Sequence, residues 1–215
     1  MLVRFFNCAA AAGLLLAGTA EASAQAPDSV EPPLQYQLEL GDKTQPISEG
    51  VPATFEGSFT NPSATLEVAP ERVFTYGGIR FSYPRHYTFE ADFTAPGIKI
   101  WTVSGNNFKI MYFVSDQDLT AETLLEGMSE QLGQTSPQVE RSPASLPIAG
   151  QPLTGTRGTI QIAIQKLTND AFTLPPQGGK SRVLLFQDAL KDSGEASDEA
   201  APATDMLSKS LVIEP

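Results

Sequence analysis

Two aspartates, separated by one residue, are the side chains of this sequence whose type and spacing best suit chemistry. They belong to the run DQDLT at residues 116–120, which follows an apolar predicted strand and precedes a predicted helix. A carboxylate in such a loop can act as a nucleophile, and Mg²⁺ beside it can stabilise a phosphoryl group in transfer. Two further aspartates, Asp188 and Asp192, follow a second apolar strand. The chain therefore holds a set of carboxylates with which phosphoryl transfer is conceivable.

This run resembles the D-x-D-x-T motif of haloacid-dehalogenase-like phosphatases. The resemblance implies that Asp116 is the nucleophile and Asp118 the acid–base, with magnesium held at Asp188 and Asp192. That family is built on a parallel sheet with alternating strands and helices, whereas this sequence predicts antiparallel hairpins and few helices. A structural interpretation explains the same residues: Asp118 or Thr120 caps the helix that follows, and Asp116 is solvated.

Other candidate motifs favour structural roles. The run GGKS at residues 178–181 is similar to the end of a phosphate-binding loop, but Leu174 stands where that loop needs a glycine. A strand follows it instead of a helix, so we expect a flexible hairpin loop. His86 is the single histidine and lies next to a Tyr-Pro-Arg run, which is typical of a surface residue. With Cys8 as the single cysteine, a structural zinc site and an iron–sulfur cluster are excluded.

Trp101 and an acidic region near the end of the sequence are candidate binding features. Trp101 lies on a predicted strand, where its ring could stack a sugar or another flat ligand, or pack in the core. The acidic region lacks the ligand spacing of a calcium loop, so we expect a solvated acidic face. Its members are Glu195, Asp198, Glu199 and Asp205. We therefore assign no catalytic, cofactor-binding or metal-binding residue from the sequence.

The charge balance excludes one large class of partners. The 215 residues include 25 acidic and 14 basic side chains, for a formal net charge of −11. Binding to nucleic-acid phosphates needs a basic surface, so we expect no nucleic-acid partner. The hydrophobic fraction of 41% is enough to fill one core.

Residues 1–26 have the pattern of a cleaved secretory signal peptide. Arg4 provides the positive start, residues 8–17 form an apolar stretch, and small residues follow at Ala22, Ala24 and Ala26. The apolar stretch is too short to span a bilayer as a helix. We expect cleavage after Ala26 or Ala24, no membrane insertion afterwards, and a periplasmic or extracellular product.

The remaining chain predicts an α+β protein in which antiparallel sheets carry one or two helices. A Pro-rich tether at residues 27–33 precedes a small antiparallel β unit at 34–70, and the main domain covers 71–215. Alternation of apolar and polar residues predicts the strands. In the small unit they are 34–40, 51–59 and 64–68; in the main domain 73–76, 79–83, 87–93, 97–103, 108–114, 160–164 and 182–187. Helices are predicted at 120–132 and 204–210, an extended loop with a short strand at 134–155, and a long loop at 168–180.

Two segments of the main domain carry a second resemblance. The runs GIRFSYP at residues 78–84 and MLSKSLV at 206–212 resemble the strand opening and the ending of PsbP-like domains. The resemblance covers about residues 72–215 and implies an α/β/α sandwich around a central antiparallel sheet. Proteins of that superfamily have accessory or binding roles, so no functional residue transfers to this chain.

The leading hypothesis is a secreted or periplasmic, non-catalytic accessory or binding protein whose partner is another envelope or extracellular protein. One alternative is the magnesium-dependent phosphatase that uses Asp116 and Asp118. The other is a carbohydrate- or small-ligand-binding module centred on Trp101.

Overall fold

The computed structural model describes residues 28–48, 51–132, 140–148, 151–162 and 164–215. The predicted signal peptide, with Arg4 and Cys8, lies outside these residues, so its cleavage stays a prediction. None of the helices in the described ranges is long and apolar enough to cross a membrane.

Strands dominate the described ranges, and two helices accompany them. The strands of the first half are β1 (Leu34–Leu40), β2 (Lys43–Ser48), β3 (Ala64–Phe74), β4 (Ile79–Pro84), β5 (Thr88–Asp92), β6 (Ile98–Ser104) and β7 (Phe108–Ser115). Helix α1 (Ala121–Leu132) follows, and then β8 (Glu140–Leu146), β9 (Leu153–Ile162), β10 (Gln165–Gln177), β11 (Lys180–Ala189), α2 (Ala200–Ser210) and β12 (Val212–Ile213). The α+β class predicted from the sequence is confirmed.

Seven strands form the larger sheet, in the order β5-β6-β7-β11-β10-β9-β8, with antiparallel pairing throughout. Strand β7 lies inside this sheet between β6 and β11. Its sequence is apolar on both faces, which is typical of a strand covered on both sides. The prediction that residues 108–114 form an interior strand is therefore confirmed.

The smaller sheet has the order β12-β4-β3-β1-β2. Strand β3 is long enough to pair along its first half with β1 and along its second half with β4. The boundary expected between residues 70 and 71 falls inside this strand. The small β unit and the main domain thus share β3 as a continuous element.

The larger sheet is covered on both faces. On one face, Trp101 and Tyr112 pack against Phe74 and Phe81 of the smaller sheet and Leu207 of α2. On the other face, α1 inserts Leu125 among sheet residues, including Phe113, Val183 and Leu185. The result is a three-layer arrangement, with α1 outside one face and β3, β4 and α2 outside the other.

One strand prediction in the small unit is wrong. Residues 51–59 contain no strand, and β1 pairs instead with β2, directly after the turn, and with β3 on its other side. Gly41 has φ +63°, which allows a two-residue turn that brings Lys43 opposite Leu40. Pro46 is tolerated in β2 because this strand lies at the edge of its sheet.

The loop predicted at residues 168–180 is also wrong, because β10 occupies most of it. Its polar residues have partners on neighbouring strands: Asn169 Oδ1 accepts a hydrogen bond from Gln187 Nε2 at 2.9 Å, and Asp170 pairs with Arg157. The turn is confined to Gly178 and Gly179, with φ +57° and +78°. The GGKS run is therefore a tight hairpin between β10 and β11, and no helix follows it.

Both predicted helices form. The Thr120 hydroxyl accepts a hydrogen bond from the backbone N–H of Thr123 at 3.2 Å, so Thr120 caps α1 as expected. Helix α2 begins at Ala200, earlier than the predicted residue 204, and contains Pro202 in its first turn. Proline is tolerated there because the first N–H groups of a helix have no intrahelical acceptor.

Candidate functional site

The carboxylates of the phosphatase hypothesis do not converge. Asp116 follows the end of β7, where Ser115 lies opposite Ser181 of β11. Asp188 lies near the other end of β11, opposite Phe108 of β7. At about 3.4 Å per strand residue the two carboxylates are roughly 25 Å apart along the strand pair. One metal therefore cannot bridge them.

Asp116 instead forms an exposed ion pair with Lys180, with 2.8 Å between Oδ1 and Nζ. Among the described residues, no group of three or more His, Cys, Asp or Glu side chains is arranged to hold a metal ion. The structural interpretation of this loop, with Thr120 as the cap, is the one that the geometry supports.

Trp101 is unavailable to a ligand. Its side chain is 1% exposed, and its ring stacks between Tyr76 and Tyr112, with centroids at 6.2 and 5.6 Å. Its indole N–H donates to the backbone oxygen of Asp28 at 2.6 Å. The hypothesis that Trp101 stacks a sugar is wrong, because neighbouring aromatic rings cover both of its faces.

The segment expected to be a tether contacts the body of the protein. Lys99 Nζ lies 2.7 Å from the Asp28 carboxylate, and the Tyr76 hydroxyl donates to the backbone oxygen of Val30. Arg72 binds the Glu31 carboxylate at 2.7 Å and the Pro32 carbonyl at 2.9 Å. These contacts hold residues 28–32 across the aromatic cluster around Trp101.

His86 and most of the acidic region are solvated, as the sequence predicts. His86 is exposed in the turn between β4 and β5. Asp198 pairs with Lys191 and Asp205 with Lys209, each at 2.6 Å and on the surface. These contacts are ordinary surface ion pairs, which contribute little to stability.

Glu199 differs from its acidic neighbours, because its carboxylate binds the turn between β6 and β7. It accepts hydrogen bonds from the backbone N–H groups of Asn106, Asn107 and Phe108, at 3.1, 2.7 and 3.1 Å. Burial acts to raise the pKa of Glu199, but these hydrogen bonds outweigh it and the net pKa is lowered. Glu199 thus joins the start of α2 to the larger sheet.

Glu199→Gln is expected to lower the free energy of unfolding by about 1–2 kcal/mol at pH 7, because the amide binds the turn more weakly than a carboxylate. A lowered pKa in the folded state means that the stabilisation is complete above the unfolded pKa of about 4.3. It is lost as the pH falls through the folded pKa. Urea unfolding at pH 7 and pH 3 measures this difference. Glu195→Gln, at an exposed position, is the control. If Glu199→Gln lowered the free energy of unfolding equally at both pH values, this would contradict the role assigned to the ionised Glu199 carboxylate.

The most developed candidate site is a cavity of about 390 Å³ beside Asp188, which we call the Asp188 cavity. Strands β9, β10 and β11 form its base, and the first turn of α2 and the preceding loop form its opposite wall. Cross-strand register places its polar residues side by side. Asp188 lies opposite Thr168, and Asp170 lies opposite Arg157.

Aromatic residues form the floor of the Asp188 cavity. Phe186 lies 5.9 Å from Phe108 and 5.6 Å from Phe172 between ring centroids. Side chains alternate between the two faces of a sheet, so residues two positions apart lie on the same face. The rings of Phe172 and Phe186 therefore lie on the same side of the sheet as the polar side chains of Asp170 and Asp188. The cavity therefore combines an apolar floor with a few polar groups, which is typical of small-molecule sites.

Asp188 is one of five side chains in the described ranges with a buried polar atom that has no hydrogen-bond partner, and it is the one of the five that lines the cavity. Its side chain is 6% exposed, and Oδ2 accepts a hydrogen bond from the backbone N–H of Ser197 at 3.1 Å. Oδ1 is buried and has no hydrogen-bond partner in the described part of the chain. Leaving such an acceptor unpaired costs about 1–3 kcal/mol.

Arg157 does not neutralise Asp188 directly. Its guanidinium makes a two-point ion pair with Asp170, with Nε–Oδ1 and Nη2–Oδ2 distances of 2.6 Å. The hydrogen bond to Asp170 is the main cause that raises the pKa of Arg157, and the more distant charge of Asp188 adds to it. The Nε and Nη2 donors of Arg157 are thus bound to Asp170.

Sequence reasoning found Asp188 but missed its neighbours. The sequence places Asp188 with Asp116 in the phosphatase hypothesis, and the loop predicted at residues 168–180 gives Thr168 and Asp170 no position beside Asp188. The Gly178-Gly179 pair is the signal that could have located them, because a two-residue glycine turn predicts a hairpin with two strands of matched length.

The chain matches no protein-family model, and no curated protein is significantly similar to it.

Proposed function

We propose that the protein is a secreted or periplasmic, non-catalytic binding protein and that the Asp188 cavity is its binding site. The observation that carries the proposal is the buried Asp188 side chain, which lines the cavity and whose Oδ1 has no hydrogen-bond donor among the described residues. A ligand that donates a hydrogen bond there would remove the cost of this unpaired acceptor.

The chemistry of the cavity favours binding over turnover. The Asp170 carboxylate is held by Arg157 at two points, so it is poorly placed to accept a proton from a substrate. The hydroxyl of Thr168 lies among carboxylates, and no histidine, cysteine or lysine is among the described lining residues. This set binds polar groups but pairs no nucleophile with a base.

We further propose that the chain is related to PsbP-like domains over about residues 72–215. Three features support this relation: the central antiparallel sheet, its coverage on both faces, and the passage of α2 into the short apolar strand β12. Accessory or binding roles in that superfamily agree with the binding proposal, and the partner would be another envelope or extracellular component. The secretory pattern of residues 1–26 supports that location.

The binding proposal is tested by a thermal-shift screen of the purified protein against small amines, sugars, amino acids, phosphate and divalent cations. A compound at about 100 times its Kd should stabilise the fold by about 2.7 kcal/mol, which raises the Tm by several degrees. We expect at least one compound to raise the Tm of the parent protein and to have a smaller effect on Ala201→Phe, which places a large side chain at the exposed rim of the cavity on α2.

Ala95→Phe is the matched control, because Ala95 is exposed in a loop away from the cavity. It should keep the full response. A panel without any response, or a response that Ala201→Phe retains in full, would refute the Asp188 cavity as the binding site.

A further inference from the structure

Resting on the proposed function, we propose that the Asp188 cavity binds the alkylammonium group of a small organic amine. The inference names the chemical class of the ligand, and it follows from the charge, the hydrogen-bonding groups and the size of the cavity.

The charge of the cavity favours a cation. Asp170 and Arg157 neutralise each other in their two-point ion pair. Asp188 forms no ion pair with any cation of the described residues, so its charge is the one left without a direct counterpart. A buried carboxylate is costly unless it is paired, and a ligand ammonium would pair it.

The hydrogen-bonding groups favour an ammonium over a weaker donor. An alkylammonium group carries three N–H donors and no acceptor. Asp188 Oδ1 is an acceptor without a partner, and the Thr168 hydroxyl, across the β10–β11 ladder, can accept a second bond. An anion would be repelled by the charge of Asp188, which no ion pair offsets.

The remaining surface of the cavity suits the carbon chain of such an amine. The rings of Phe108, Phe172 and Phe186 form the floor, and their faces attract a nearby cation as well as alkyl groups. Leu146 and Leu190 add apolar walls. A volume of about 390 Å³ is at the small end of ligand sites, which favours a short amine over a larger molecule.

The experiment compares n-butylammonium with its neutral counterpart n-butanol, by calorimetric or NMR titration of the purified protein in 150 mM salt. The salt reduces unspecific attraction to a chain of net charge −11. We expect n-butylammonium to bind with a Kd in the millimolar range and n-butanol to bind at least tenfold more weakly. Equal binding of the two compounds would overturn the ammonium inference and leave the cavity itself as a binding site.

Two variants assign the binding to Asp188. Asp188→Asn keeps the size of the side chain and is expected to weaken n-butylammonium binding at least tenfold. Asp205→Asn makes the same charge change at an exposed ion pair and should alter the Kd less than twofold. Unchanged binding by Asp188→Asn would refute the inference.

Ala201→Phe provides the second test, because it leaves Asp188 in place and is expected to obstruct the cavity from its exposed rim. It should weaken n-butylammonium binding, and unchanged binding would refute the inference even if Asp188→Asn failed to fold. If neither n-butylammonium nor any compound of the thermal-shift panel binds, the proposed function fails together with the inference.

A further titration distinguishes a free amine from a lysine side chain of a partner. An octapeptide with one central lysine is compared with the same peptide carrying norleucine. We expect n-butylammonium to bind and the lysine peptide to bind at least tenfold more weakly, because the cavity is small. Tighter binding of the lysine peptide than of n-butylammonium would contradict the proposal that the ligand is a free small amine, and it would indicate a lysine side chain of a partner.

Discussion

Replacement of Arg182 by methionine is expected to lower the free energy of unfolding by about 3–5 kcal/mol. Arg182 is 1% exposed, and its guanidinium is bound by backbone carbonyls instead of a carboxylate. It donates to the backbone oxygens of Pro175 at 2.6 Å, Gly78 at 3.1 Å and Glu214 at 3.0 Å, and to Gln177 Oε1 at 3.3 Å. Methionine would fill much of the space but donate to none of them.

The size of the loss follows from the acceptors left behind. The Gly78 carbonyl also accepts a hydrogen bond from the backbone N–H of Glu214, so it keeps a partner. The Pro175 and Glu214 carbonyls lose hydrogen bonds from the charged guanidinium, and such bonds contribute about 1.5–3 kcal/mol each. The hairpin of β10 and β11, the β3–β4 turn and the end of the chain would thereby lose one of the connections between them, while the Gln177 amide still donates to Pro215 and Glu214 still donates to Gly78.

Urea unfolding followed by the fluorescence of Trp101, the single tryptophan, measures this effect. Arg80→Met is the matched control, since Arg80 is exposed on β4 nearby, and it should change stability by less than about 0.5 kcal/mol. Arg182→Lys should recover part of the loss, because an ammonium group can donate to some of the carbonyls. A loss below about 1 kcal/mol for Arg182→Met would contradict the role assigned to Arg182.

The second large effect is expected for Gly155→Ala, at about 3 kcal/mol of lost stability. A Cβ at Gly155 would lie 2.2 Å from the backbone oxygen of Ala171 and 2.6 Å from Cδ1 of Phe172. The first contact is with backbone, so relief requires β9 and β10 to separate. Arg157 and Asp170 pair across the same two strands, and the Asp188 cavity would be distorted too.

Gly127→Ala is the control for this substitution and has the opposite expected sign. No atom lies within 4 Å of a Cβ at Gly127 in α1, and alanine favours helix over glycine by about 0.5–1 kcal/mol. Urea unfolding of both variants tests the pair, and hydrogen exchange at Thr156 and Ala171 reports on the strand contact. A stability for Gly155→Ala equal to that of the parent would show that the strands accommodate the methyl group.

The segment from β4 to α1 could be predicted from the sequence, because its apolar alternation is strong and its turns are short. The sequence predicts β4, β6, β7 and α1 close to their observed positions. For each of them the pattern that buries one face is local, so neighbouring residues carry the whole signal.

The segment around β10 could not be predicted in this way. Thr168, Asn169 and Asp170 look like loop residues until Gln187 and Arg157, distant in sequence, are placed beside them. The candidate site depends on this strand. Asp188 is therefore the one polar residue of the site that the sequence singles out as a candidate. The burial of Trp101 was likewise undecidable, because the rings that cover it come from β7 and from the residues after β3.

The pairing of β4 has a consequence for how the chain folds. The edge of β4 is covered by β12, and the backbone N–H of Ser82 is bound by the Ser210 hydroxyl, 128 residues away in sequence. Contacts between such distant residues slow folding, since a large loop must close before they form. During this interval β4 presents an open edge that can pair with a second chain. Aggregation therefore competes with folding until β12 is in place, more strongly at higher protein concentration.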